Sequence, residues 1–141
     1  MAEICGLLEV RSLAIALAQE LKKGDVVFLY GQLGAGKTTF AKSMIEELTD
    51  HKDATSPTFN IAQVYEGKNN IVWHFDLYRI KSFEELEYIG INEAFDSYIS
   101  IVEWPEISES IMPGSAIKVY IDFEESDDKR IITILHPKDR M

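Results

Sequence analysis

Apolar positions along the chain switch between helical and strand spacing, and each switch marks an element. Leu13, Leu17 and Leu21 recur every fourth residue with Ala14 and Ala18 beside them, which predicts a helix with one apolar face. Lys22, Lys23 and Gly24 close it, with cations for the last turn and a glycine free to turn. Val26 to Tyr30 is an unbroken apolar run of strand length, as expected of a strand covered on both faces in an α/β sheet. After a glycine-rich turn, Phe40, Ala41, Met44, Ile45 and Leu48 fall on one face of a second helix.

The pattern turns β-like from Thr58 to Tyr65 and again from Ile71 to Phe75. Glu66-Gly67-Lys68-Asn69-Asn70 between them is turn chemistry, so an antiparallel hairpin is predicted near residues 59–76. Ser82 and Glu85 have capping-box spacing for a short helix carrying Phe83, Leu86 and Ile89, and Asn92 is a candidate cap for another. Ser100 to Glu103 reads as a buried strand ending in an acid. Beyond the turn at Pro113-Gly114, Ile117 to Phe123 and Arg130 to Leu135 predict a second hairpin, near 117–135. These elements make an α/β fold in which helices flank a central mixed sheet.

The 141 residues fit one domain, 1–141, with no repeat or Pro/Gly/Ser-rich linker to divide them. Cys5 is the only cysteine, so an internal disulfide is excluded and a reducing compartment is the simpler reading. Met1 to Cys5 lacks the basic start and apolar run of a secretory signal, and no apolar stretch has the length of a membrane span. A cytoplasmic location with no membrane partner is expected. The net charge of −10 argues against direct, tight nucleic-acid binding, which draws on phosphate neutralisation by a basic surface. Glu124 to Asp128 is read as a solvated turn between two strands.

Gly31-Gln32-Leu33-Gly34-Ala35-Gly36-Lys37-Thr38 matches the G-x-x-x-x-G-K-[ST] phosphate loop at every fixed position. Glycines let the backbone of Gly31, Leu33, Gly34, Ala35 and Gly36 wrap a phosphate with amides pointing inward. The following helix adds the positive end of its dipole. Lys37 would reach the β- and γ-phosphates, and the Thr38 hydroxyl would ligate Mg²⁺. With glycine at about 7% of residues, chance yields this pattern in roughly one chain in two hundred of this length. The apolar strand before it and the helix after it make accident rarer still. The GTP-reading element N-K-x-D is absent from the sequence, which favours ATP/ADP as the nucleotide.

Magnesium on β,γ-phosphates needs oxygen ligands, usually helped by an acid at a strand end. Glu103 ends one strand and is the first choice; Asp76 ends another, to hold a magnesium-bound water or orient the attacking water. Thr55-Ser56-Pro57-Thr58-Phe59 admits two readings, an ordinary strand-entry turn or a switch segment whose hydroxyls contact the γ-phosphate. Trp104 likewise packs either in the core or beside the nucleotide. His51, His74 and His136 are scattered, without metal-ligand spacing, and carry no zinc role.

Four blocks in this order resemble the TsaE (YjeE) family: Gly31 to Phe40, Ser56 to Phe59, His74 to Arg79, and Val102 to Pro105. Glu84-Glu85-Leu86-Glu87 before Gly90-Ile91 also fits, and the resemblance spans about three-quarters of the chain, from the first helix through Glu106. It implies a P-loop NTPase-like fold and a cytoplasmic ATP-hydrolysing accessory subunit. Its partners would be TsaB and TsaD, which place threonylcarbamoyl on adenosine 37 of tRNA; tRNA would be met only through that complex. By the same resemblance Thr38 and Glu103 would hold magnesium, Thr39 would lie close to the phosphates, and Asp76 would assist hydrolysis alongside Lys37. Ser56 and Thr58 would fall in a switch-I-like segment, His74 to Arg79 in a switch-II-like one, Trp104 beside the nucleotide, and Glu9 near the base. A small-molecule kinase and a passive nucleotide-binding module are the alternatives, the first weakened by the scarcity of arginines for a lid.

Overall fold

Seven strands form one sheet in a computed structural model that describes residues 2–52, 61–124 and 129–137. They are β1 (Ala2–Cys5), β2 (Val26–Tyr30), β3 (Ala62–Glu66), β4 (Ile71–Asp76), β5 (Ile99–Glu103), β6 (Ile117–Phe123) and β7 (Arg130–Leu135). Their spatial order is β1-β7-β6-β2-β5-β4-β3. The pairs β6–β2, β2–β5 and β5–β4 are parallel, while β3 on one side and β7 and β1 on the other pair antiparallel.

The parallel centre needs cover on both faces, and the sequence supplies it by alternation. Val27 and Leu29 of β2 join one core with Ala14 and Leu17 of α1 (Leu7–Glu20) and Phe40 and Met44 of α2 (Lys37–Thr49). Val26 and Phe28 point the other way, against Leu86 of α3 (Phe83–Tyr88) and Ile91 and Phe95 of α4 (Ile91–Ser97). A 3₁₀ helix, Pro105–Ile111, follows β5 and adds Ile107 and Ile111 to that second core. Among the described residues no helix is long and apolar enough to cross a membrane.

Both hairpins form. β3 and β4 pair from Ala62 opposite Phe75 to Glu66 opposite Ile71, and the Gly67 amide donates to the Asn70 carbonyl at 2.8 Å across the turn. Residues 58–60, where the first strand is expected to begin, lie outside the described residues. β6 and β7 occupy the predicted ranges; of the acidic run between them, 125–128 lie outside the described residues. The Glu85 carboxylate accepts from the Ser82 amide at 3.4 Å and the Lys81 amide at 2.9 Å, the glutamate half of the predicted box.

Two local expectations are corrected, and one strand is added. α1 stops at Glu20, so Lys22 and Lys23 lie beyond the helix rather than in its last turn. The Asp25 carboxylate takes the Lys22 amide at 2.8 Å, which commits this stretch to a turn, and Gly24 enters β2 with φ +89°. Asn92 does not cap α4; Gly90 does, in the left-handed conformation that joins α3 to α4, leaving Asn92 inside the helix. β1, pairing with β7, was not expected from the sequence at all.

Candidate functional site

Strand alternation assembles the site before any side chain is considered. Val72 and Ile99 lie opposite each other on β4 and β5, and Val72, Ile99 and Ile101 belong to the core beneath α2. Two-residue steps along each strand therefore bring His74 and Asp76 to the same face as Ile101 and Glu103. Asp76 pairs in register with Glu103, which in turn lies level with Leu29 of β2. Three parallel strands thus end together where the glycine loop leaves β2 and α2 begins.

The loop is tight where β2 hands over to it. A β carbon on Gly31 would stand 2.6 Å from the Ile121 carbonyl oxygen of β6, so only glycine fits without displacing backbone. Gly36 caps α2 at φ +112°, a conformation that L side chains rarely adopt. The first amides of α2 have no partner within the helix and, with its dipole, face an incoming anion. Gly31→Ala should cost roughly 1–3 kcal/mol of stability through forced displacement of β6 or the loop. Urea unfolding would check it; a midpoint equal to wild type would refute the contact.

Lys37, the first residue of α2, is buried. Its Nζ donates to the Gly31 carbonyl and lies 3.2 Å from the centroid of the Trp104 ring, a cation–π contact. Burial pulls the lysine pKa down, while the nearby charges of Glu103, Glu106 and Asp76 work to raise it. Trp104 sits in the left-handed region at φ +54°, with the Tyr78 ring 4.8 Å from its own. The indole is only partly buried and lines the cleft around Lys37.

Glu103 is buried with both oxygens engaged. Oε1 accepts from the Thr38 hydroxyl at 2.9 Å, and Oε2 lies 2.6 Å from His74 Nε2. His74 is itself fully buried, a contact that its isolation in the sequence did not suggest. Asp76 is partly exposed and accepts from the Tyr78 amide at 3.1 Å. Burial, assisted by the charge of Glu103, raises its pKa, against the lowering influence of the Tyr78 amide, His74 and Lys37. At neutral pH the ionised Asp76 therefore opposes folding. Because the folded pKa is raised, its stabilising contribution is full below the ordinary value of 3.8 and disappears as pH rises through the folded pKa. Asp76→Asn should accordingly melt higher than wild type at pH 7 but not at pH 3. A lower melting temperature at pH 7 would contradict this.

A cleft of about 350 Å³ opens over these groups, bordered by Gly34, Lys37, Thr38, Asp76, Glu103 and Trp104, with Leu33 exposed at its lip. A second cleft, about 360 Å³, shares Gly34, Gly36 and Thr39 with the first. It runs back to Gly6, Leu7 and Val10 of the N-terminal segment and to Arg130. The buried Ala35 offers its carbonyl to Arg130 Nε at 2.9 Å, which ties the loop to β7. Glu9 borders neither cleft; its carboxylate accepts the Gly6 amide at 3.1 Å at the start of α1. Ser56 and Thr58 lie outside the described residues. His74, Tyr78 and Arg130 are neighbours of the site that individual-residue reasoning missed. Strand period was an available signal for His74, but no local signal pointed to Arg130.

The donor set fits a hard divalent cation brought in by a polyphosphate. Among the described residues no group of three or more His, Cys, Asp and Glu could cage a metal. One carboxylate and one hydroxyl beside a phosphate loop is the sparse oxygen set magnesium accepts when phosphates and water complete its shell. Thr38 gives its hydrogen to Glu103, which leaves the hydroxyl lone pairs for such an ion.

Sheet, loop and helix together define an α/β protein of P-loop NTPase-like architecture. The family model described as "Threonylcarbamoyl adenosine biosynthesis protein TsaE" matches residues 7–132. The chain belongs to the TsaE family. Two proteins named tRNA threonylcarbamoyladenosine biosynthesis protein TsaE illustrate the relationship. That of Rickettsia felis is 38% identical over 128 residues, covering 90% of this chain and 74% of the relative. That of Bacillus subtilis is 36% identical over 126 residues, covering 89% and 78%. The crystal structure of Bacillus subtilis YdiB matches with a TM-score of 0.79 at 30% identity, over 99% of this chain and 87% of that one.

Proposed function

We propose that this chain is a magnesium-dependent ATPase, an accessory subunit of tRNA threonylcarbamoyladenosine modification at adenosine 37, working in the cytoplasm with TsaB and TsaD. The carrying observation is convergence: Lys37, Thr38, Asp76 and Glu103 border one cleft at the start of α2. In this reading Lys37 and the loop amides bind the β,γ-phosphates. Thr38 and Glu103 hold magnesium, which neutralises charge on the phosphates, and Asp76 orients water toward the γ-phosphate. The second cleft takes the nucleoside, beside Leu7 and Val10. Glu9 acts there only indirectly, by fixing the N-terminal segment as the cap of α1.

Among the described residues bordering the first cleft, Lys37 is the cation and no arginine appears. That favours slow hydrolysis assisted by partners over a self-sufficient kinase, because a second cation on the transition state is a large part of fast phosphoryl transfer. The net charge of −10 suits docking on protein partners better than gripping tRNA. Reconstituted tRNA modification with TsaB and TsaD, with and without this chain, is the test. The reading predicts ATP cleavage and sustained modification only when the chain is present; equal modification without it would end the accessory role.

A further inference from the structure

We propose that His74 is a positioning residue, which holds Glu103 in the one orientation that serves both Thr38 and a divalent cation. The inference rests on the ATP-site reading above. It deepens that reading by assigning a role to a side chain that touches neither cleft.

His74 sits one strand step before Asp76 on β4, opposite Ile101, and so lies beneath Glu103. It is fully buried, and its Nε2 is 2.6 Å from Glu103 Oε2. Nδ1 has no hydrogen-bond partner among the described residues, so the ring's polar contact is with that one carboxylate. The hydrogen is therefore assigned to Nε2 and donated to Oε2. Glu103 could otherwise rotate, since a glutamate has several rotamers and, among the described residues, only the Thr38 hydroxyl, 2.9 Å from Oε1, hydrogen-bonds to its other oxygen. Pinning Oε2 from below fixes the plane of the carboxylate and leaves Oε1 facing the loop. A ligating carboxylate held by an outer hydrogen bond is the usual arrangement at metal sites, and its loss typically lowers metal affinity about 10- to 100-fold.

Calorimetric titration of ATP into wild type, His74→Leu and His74→Gln, each in magnesium and in EDTA, tests the role. Leucine fills the space without a donor, whereas the glutamine amide can restore a hydrogen bond to Oε2. The magnesium-dependent gain in ATP affinity should fall at least tenfold in His74→Leu and return to within about threefold in His74→Gln. Affinity in EDTA should stay within about twofold for both variants, because the loop and Lys37 are untouched. A full magnesium gain in His74→Leu, an equal loss in EDTA, or a glutamine variant no better than leucine would overturn the role. If His74→Leu does not fold, His74→Asn, whose shorter amide does not span the gap, replaces it with the same expectations. Wild-type protein that binds no ATP in either medium would overturn the ATP-site reading and this role together. Wild-type binding with unaffected variants would overturn the role alone.

Discussion

Lys37→Ala is expected to weaken ATP binding about 100-fold: a hydrogen bond to a charged partner contributes up to roughly 3 kcal/mol, and about 1.4 kcal/mol is a factor of ten. The lysine begins α2, where helix amides and its ammonium face the same cleft. Alanine also removes a buried stem, so Lys37→Met, which keeps that stem and drops the charge, separates packing from electrostatics. Burial lowers the lysine pKa, so the charged form is less stable in the folded protein than in the unfolded chain. That penalty is full below the folded pKa and vanishes as pH climbs past the ordinary 10.5. Methionine never carries it. Lys37→Met should therefore melt at or above the wild-type temperature near neutral pH while losing ATP affinity as alanine does. Calorimetry paired with thermal melts reads both, and wild-type affinity in either variant would remove Lys37 from the phosphates.

Glu103→Gln should lower magnesium-dependent hydrolysis more than 100-fold, with ATP affinity in EDTA changed by less than about twofold. Metal stabilisation of transition-state charge is worth several kcal/mol, and about 1.4 kcal/mol is tenfold in rate. Glutamine keeps the size of the side chain and can still hydrogen-bond to Thr38 and His74. Glu103→Ala strands both: the buried His74 left without a partner costs about 1–3 kcal/mol, while the half-buried Thr38 hydroxyl at the cleft can turn to water. The two variants should thus hydrolyse equally slowly but melt differently, glutamine near wild type and alanine well below it. Single-turnover phosphate release, with the partner proteins present, measures the shared loss of hydrolysis, and thermal melts separate the two variants. Hydrolysis retained in both would mean that the metal is held elsewhere.

The strands and helices legible in the sequence were those whose own burial wrote the pattern. Val26 to Tyr30 is apolar throughout because β2 lies at the centre of the sheet, and α1 and α2 show one apolar face because each covers it from one side. β1 escaped notice because Ala2 to Cys5 is short and lies at the sheet edge; it is a strand because the distant β7 offers it a partner, not because of its own composition. The loop and its acids were legible because glycine spacing and an acid after an apolar run are local signals. Their outer neighbours were not. Arg130 reaches Ala35 only through the pairing of β6 with β7, and Tyr78 meets Trp104 only because β4 and β5 end level. His74, put in a switch-II-like segment by resemblance, had no metal-ligand spacing of its own; register places it under Glu103. Glu9, expected near the base by resemblance, accepts the Gly6 amide at the start of α1.

The lysine ammonium rests between a main-chain carbonyl and an indole face. An arriving triphosphate must therefore win that cation from its own chain, and only the difference between the two sets of partners counts toward affinity. The same exchange runs in reverse once the terminal phosphate has gone: carbonyl and indole compete with the spent nucleotide for the cation, and so favour its departure. A site arranged in this way is suited to letting go, as the accessory ATPase proposed above would require between rounds.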